Sequence, residues 1–241
     1  MGKALTIAIW GCNGCGKTTL AVNLTTFLAK RQKIVGLISA STYNELGTYF
    51  DTIIPEEKGI KAIKTHPTEE IKMFYVPAGR DTSAYFLGPA TDSVIADNVE
   101  LDVATGRRIV EESKELFDIL IIDCAPSILD AISSEAVARC DSLVIPINAN
   151  MAYEQWFKCN ARDFECLGPR CKFVENMVNS ECNIQQLYKM MNVVPCTSLQ
   201  YIEAAPALFQ KGAPLYAGLG RTSKIYEAGL CKLWDCINSQ N

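Results

Sequence analysis

Several things are scarce in this chain of 241 residues. There is one histidine, His66, in a polar stretch beside Pro67 and with no cysteine pair nearby, a poor start for a Cys/His metal site. No apolar run approaches the roughly 18–20 residues of a membrane-spanning helix. Basic residues are not in excess: 23 Lys and Arg against 27 Asp and Glu leave a net charge of −4. That balance argues against a protein basic overall, although a local basic patch for nucleic acid stays open. Repeats, low-complexity tracts and linkers are also missing, so one domain over 1–241 is expected. A core strand begins almost at the first residue, leaving no room for a secretory signal, and the expected location is cytoplasmic. With 49% hydrophobic and 21% charged residues the composition is that of a globular protein, which excludes wholesale disorder.

Cysteine, by contrast, is abundant, with 11 copies. Without an export signal they do not read as a disulfide framework. Cys166/Cys171 and Cys231/Cys236 are spaced more loosely than a zinc knuckle. Most are expected to be small buried hydrophobes in a reduced cytosol.

The most informative stretch is Gly11-Cys12-Asn13-Gly14-Cys15-Gly16-Lys17-Thr18, a glycine, four free positions, then Gly-Lys-Thr. The β-forming run 4–10 precedes it, and 19–29 follows with Leu20, Val22, Leu24, Phe27 and Leu28 at helical spacing. Strand, glycine loop and helix in that order suit a polyphosphate. Glycines let backbone N–H groups wrap it, and the helix N-terminus adds favourable partial charge. Lys17 can reach the β- and γ-phosphates, and the Thr18 hydroxyl can ligate Mg²⁺. Expected nucleotide-binding residues are thus Gly11, Asn13, Gly14, Cys15, Gly16, Lys17, Thr18 and Thr19. A metal at the Cys12/Cys15 pair would compete with the nucleotide, because both cysteines lie inside the loop.

About a hundred residues later, Phe117-Asp-Ile-Leu-Ile-Ile-Asp123 has the form of a Walker B strand. It delivers Asp123 to the strand's C-terminal end, where ligands bind in open α/β sheets and where the carboxylate can hold Mg²⁺ opposite Thr18. Lys17 and Asp123 are the expected catalytic pair, and Thr18 and Asp123 the metal pair. Further strands are expected at 33–39, 72–77, 142–147, 171–179 and 192–195. Helices are expected at 106–116, 133–139, 151–167, 184–191 and 222–237, the last placing Ile225, Tyr226, Leu230, Leu233, Trp234 and Ile237 largely on one side. Strands alternating with helices predict an α/β fold, a doubly wound and mostly parallel sheet covered on both faces.

Together these motifs resemble the ParA/MinD family of P-loop ATPases, including its pilus-positioning TadZ/CpaE branch. The resemblance rests on GCNGCGKTTLAVNLTTFLA, on FDILIIDCAPS, on Ala138–Pro146, on Val194-Pro195 followed by Glu203-Ala-Ala, and on Gly212-Ala-Pro-Leu215. It implies ATP and Mg²⁺ as cofactors, a nucleotide-dependent homodimer, and a cargo or regulatory protein as partner. The cargo would be a plasmid or chromosome, or a pilus, secretion or conjugation machine. It also implies an adenine contact by Asn179, which ends the expected strand 171–179. Non-specific DNA contact stays open, with Arg162, Arg170 and Lys172 clustered in sequence. The final helix, with Lys224 and Lys232 set against Glu227 and Asp235, reads as core-covering rather than as a membrane-binding helix.

Two departures from the family pattern stand out. Its signature lysine, right after the first glycine, is replaced by Cys12, and the next position by Asn13. Its aspartates after the second strand are replaced by Ser39 and Ser41. Positioning of water and neutralisation of charge supply most of phosphoryl-transfer catalysis. The resemblance therefore implies binding with slow hydrolysis. Alternatives are a non-hydrolysing ATP-bound scaffold, a metabolic enzyme of the dethiobiotin-synthetase-like fold using Arg80 or Arg107/Arg108, and a nitrogenase-reductase-like iron–sulfur protein.

Overall fold

The computed structural model describes residues 3–79, 82–93, 100–149, 152–178, 184–218 and 220–239. Eight strands form one sheet, β1 (Leu5–Ile9), β2 (Val35–Ser39), β3 (Val76–Pro77), β4 (Ala84–Leu87), β5 (Ile119–Asp123), β6 (Ser142–Ile147), β7 (Cys171–Val178) and β8 (Thr197–Gln200). Their order is β3-β4-β2-β5-β1-β6-β7-β8, with every pairing parallel except β3 against β4. The expected doubly wound α/β sheet is what the chain forms.

The helices are α1 (Lys17–Ala29), α2 (Glu45–Phe50), α3 (Ile60–Thr65), α4 (Val103–Ser113), α5 (Ala131–Arg139), α6 (Ala152–Cys159), α7 (Ala161–Leu167), α8 (Gln185–Met191), α9 (Ala205–Phe209) and α10 (Arg221–Asn238). Side chains alternate along each strand, so β1 feeds both faces of the sheet. Ile7 and Ile9 join α1 and α10 on one side. Ala8 and Trp10 join α4, α5, α7 and α8 on the other. On α1 the five residues expected inside are all buried. Each contributes about 1.5–3 kcal/mol of apolar burial, which holds the helix N-terminus against the sheet.

The structure corrects several expected elements. Residues 71–74 are a 3₁₀ turn and only Val76 and Pro77 pair as strand. The real inner strand there is β4, whose four residues are too few to show a period against a polar background. The last strand lies at Thr197–Gln200 rather than 192–195, because Asn192 takes a left-handed backbone (φ 51°) that ends α8. The expected helix 151–167 breaks at Asn160 into α6 and α7. Ile225 is exposed on α10, whereas Tyr226, Leu230, Leu233 and Ile237 are buried. Cysteines are less buried than expected: Cys12, Cys15, Cys124 and Cys140 are inside, but Cys159 and Cys166 are exposed and four more are half-buried. Among the described residues no helix is long and apolar enough to cross a membrane.

Candidate nucleotide-binding site

Register brings the chemistry to one edge. Asp123 pairs with Ile9 of β1 on one side and with Ser39 of β2 on the other. The three strands therefore release their loops at the same level, at the carboxyl end of a parallel sheet where ligands of such sheets bind. A cleft of about 980 Å³ opens there, lined by Asn13, Gly14, Gly16, Lys17, Thr18, Thr19, Glu45, Tyr49 and Asp123 among others. Its volume is that of a site for a nucleotide-sized ligand.

The glycine loop is held from below. Gly14 and Gly16 have φ of 75° and 85°, a left-handed backbone that favours glycine. A Cβ on Gly16 would lie 2.5 Å from both Asn176 Nδ2 and Met177 Cε. Asn176, buried on β7, donates from Nδ2 to the Cys15 carbonyl at 2.8 Å, and Asn148 Nδ2 donates to the Gly14 carbonyl at 2.9 Å. The opposed backbone carbonyls are thereby occupied, which leaves the loop shaped for an anion. β7 gains one residue between Glu175 and Val178, and Met177 within that irregularity has φ 56°. A left-handed methionine costs about 1–2 kcal/mol, and strain of this kind gathers at functional sites.

Not all expected loop residues face the cleft. Gly11 and Cys15 are buried and do not line it. The neighbouring thiols act on each other, which lowers the Cys12 pKa and, with burial, raises that of Cys15 well above its usual range. Lys17 is buried, and its Nζ donates to the Cys12 carbonyl at 3.0 Å. The Thr19 hydroxyl meets Tyr49 Oη at 2.9 Å. Asn13 is exposed at the rim. Asn179 lies outside the described residues, as does Arg80.

The most crowded point is the Thr18 hydroxyl. It stands 2.7 Å from Asp123 Oδ2 and 2.8 Å from Glu45 Oε2. One hydroxyl has one proton, so it cannot donate to both. Asp123 is 3% exposed, and its Oδ1 has no hydrogen-bond partner among the described residues. Burial pushes the Asp123 pKa up to about 7, against the pull of the Thr18 hydrogen bond and the Lys17 charge and with a further push from the Glu45 carboxylate. Glu45 was not singled out in the sequence. It is the first residue of α2, a position where an acid ordinarily needs no more explanation than the helix dipole.

Other basic candidates are engaged elsewhere. Arg107 pairs with Glu135 at 3.1 Å and Arg108 with Glu112 at 2.8 Å, and neither lines the cleft. Arg170 donates to the Ala138 and Cys140 carbonyls, and buried Lys172 to the Pro169 carbonyl. Of Arg162, Arg170 and Lys172, only Arg162 stands exposed.

The family model described as "AAA domain" (AAA_31) matches residues 5–155, more than half of the chain. The chain belongs to that family, within the ParA/MinD group of P-loop ATPases. This ParA/MinD-type chain is 30% identical over 146 residues to the chromosome partitioning protein ParA of Myxococcus xanthus. That match covers 56% of this chain and 48% of the relative, so it spans about half the length of the curated protein. In fold it is similar to the septum site-determining protein MinD of Pyrococcus horikoshii complexed with Mg-ADP. The TM-score is 0.76 at 14% identity, over 99% of each chain. It is also similar to a chain of the MinC:MinD cell division complex of Aquifex aeolicus. There the TM-score is 0.75 at 20% identity, over 96% of each chain.

Proposed function

We propose that this protein is an ATP-binding positioning ATPase that works as a nucleotide-dependent dimeric switch and hydrolyses ATP slowly. The observation that carries the reading is the junction of the glycine loop with Thr18 and Asp123. A loop with left-handed Gly14 and Gly16, packed at Gly16 against Asn176 and Met177, lies beside a hydroxyl and a buried carboxylate whose Oδ1 has no hydrogen-bond partner among the described residues. Those residues fit a polyphosphate with Mg²⁺: Gly14, Gly16 and Lys17 toward the phosphates, Thr18 and Asp123 toward the cation. When bound, Mg²⁺ neutralises charge on the β- and γ-phosphate oxygens. Lys17, drawn back onto the Cys12 carbonyl, would turn from that weak acceptor to phosphate, a stronger partner for an ammonium.

Slow turnover follows from what the site lacks. Cys12 is buried and carries no cation. Ser39 is buried too, and its Oγ accepts from the Ser41 N–H, so its hydroxyl is turned into its own bend. The homodimer is carried over from the family resemblance, and Leu129 in the loop after β5 is 92% exposed. The relatives act in chromosome partitioning and cell division, and one is in complex with a partner protein. A cargo or regulator bound by the nucleotide-loaded dimer is the corresponding role here. A carboxylate-activating metabolic enzyme has less support, because Lys17 is the single basic residue among the described residues lining the cleft.

The test is a phosphate-release assay beside light scattering with ATP, ADP and EDTA. The expected result is slow, Mg²⁺-dependent release that is lost in Lys17→Ala, with dimers formed in ATP but not in ADP. Binding without any release, and dimers indifferent to the γ-phosphate, would replace the switch by a static scaffold.

A further inference from the structure

The two serines that stand where the family's second strand ends in aspartates leave the site short of acid, yet the cleft is not short of acid. Glu45 reaches back from the start of α2 to a residue 27 positions earlier and puts Oε2 at 2.8 Å from Thr18 Oγ1. Asp123 Oδ2 approaches the same oxygen from β5 at 2.7 Å. Two carboxylates converging on one hydroxyl repel each other unless a proton or a cation lies between them. A glutamate placed only for the helix dipole would stay over its own helix N-terminus, where Asn44 Oδ1 already accepts from the Gly47 N–H. This one leans away, across to α1. A second and independent observation points to a ligand at the same spot. Asp123 is 3% exposed and lines the cleft, and its Oδ1 has no partner among the described residues. Mg²⁺ in nucleotide sites is held by one or two carboxylates together with substrate phosphates.

We propose that Glu45 is a third protein oxygen of the divalent-cation site beside Thr18 and Asp123, a carboxylate brought from α2 to the cation while the water-positioning aspartates stay missing. The proposal rests on the nucleotide-site reading above. It adds a residue whose position, the first turn of α2, lies beyond the two serines of the altered motif. Ser41 lines the same cleft but brings only a hydroxyl, and Ser39 is out of reach. Because α2 packs Leu46 and Phe50 into the core, the carboxylate is carried on an anchored element. Cation occupancy would thereby be coupled to the placement of the turn after β2.

The experiment uses the full chain and two probes, Mn²⁺ alone by electron paramagnetic resonance and ATP by calorimetry with either Mg²⁺ or EDTA. Glu45→Gln is expected to weaken the Mn²⁺ site, and the Mg²⁺ enhancement of ATP binding, by about tenfold or more. ATP binding in EDTA should stay equal or tighten, since a negative charge has left the cleft. Glu45→Asp should recover part of the loss, which a merely structural role would not do. Circular dichroism and Asp123→Asn serve as the folding and site controls. Equal Mn²⁺ affinity and equal Mg²⁺ dependence in wild type and Glu45→Gln would overturn the proposal. If wild type binds Mn²⁺ through Glu45 but no ATP under any condition, the nucleotide reading fails and the cation site survives. If it binds neither, both fail.

Discussion

The phosphate loop and the turn after β2 face each other across one cleft, yet they hold their chemistry in opposite ways. The loop keeps its functional atoms by local sequence: two left-handed glycines, a lysine and a threonine within five residues, braced beneath by Asn148 and Asn176. The turn after β2 has serines where the resemblance leads one to expect aspartates. It recovers a carboxylate only because α2 starts four residues after Ser41 and directs Glu45 inward. A backbone cradle tolerates little substitution, since its donors are fixed by φ and ψ. A carboxylate can arrive at one point in space from more than one place in the chain.

Four measurements would break or sharpen that contrast. The largest effect is expected from Gly16→Ala. It forces a left-handed backbone on alanine and drives a methyl toward Asn176 and Met177. A loss of about 2–4 kcal/mol in unfolding free energy is expected in denaturant titrations, with ATP binding abolished. Lys17→Ala should leave the fold intact and cost about 1.5–3 kcal/mol of ATP affinity by calorimetry, because a charged hydrogen-bond donor is removed. Asn176→Ala comes next: the buried Cys15 carbonyl loses its side-chain donor, and about 1–2 kcal/mol of stability is expected to go with it in thermal unfolding. Smallest in stability is Ser41→Asp, in a half-buried position on the cleft wall. Its unfolding free energy should stay within about 0.5 kcal/mol of wild type, while phosphate release rises. If release does not respond, the serine-for-aspartate change is not what slows this protein.

Much of the fold was legible in advance for a physical reason. Interior strands of a parallel sheet are buried on both faces, so β1, β2, β5 and β6 appear as unbroken apolar runs that need no partner to be recognised. Shorter or edge strands carry no such mark. β4 has four residues and β8 has Thr-Ser-Leu-Gln, and each is a strand because a neighbour's backbone offers it hydrogen bonds. The pattern at 151–167 also looked continuous, and the break at Asn160 follows from packing: Trp156, Phe157 and Phe164 turn into one aromatic cluster with Trp10. Both indole N–H groups of that cluster, from Trp10 and Trp156, donate to the Pro126 carbonyl at 3.2 Å. The loop after Asp123 is thus tied by residues from two distant elements. No spacing rule relates them.

The same division runs through the site. Lys17, Thr18 and Asp123 could be named from the sequence because a loop motif and a strand-terminal aspartate are contiguous signals, each interpretable within a dozen residues. The α/β class, the family and the loss of the signature lysine are determined at that level too. Only the tertiary structure decided that Asn176 braces the loop. Only it decided that Cys15 faces the core rather than the cleft, and that a glutamate 27 residues from Thr18 meets it together with an aspartate 105 residues away. Those are contacts between parts of the chain that share no local pattern. They exist because parallel register sets the ends of β1, β2 and β5 side by side, and a sequence does not display that register until the sheet has formed.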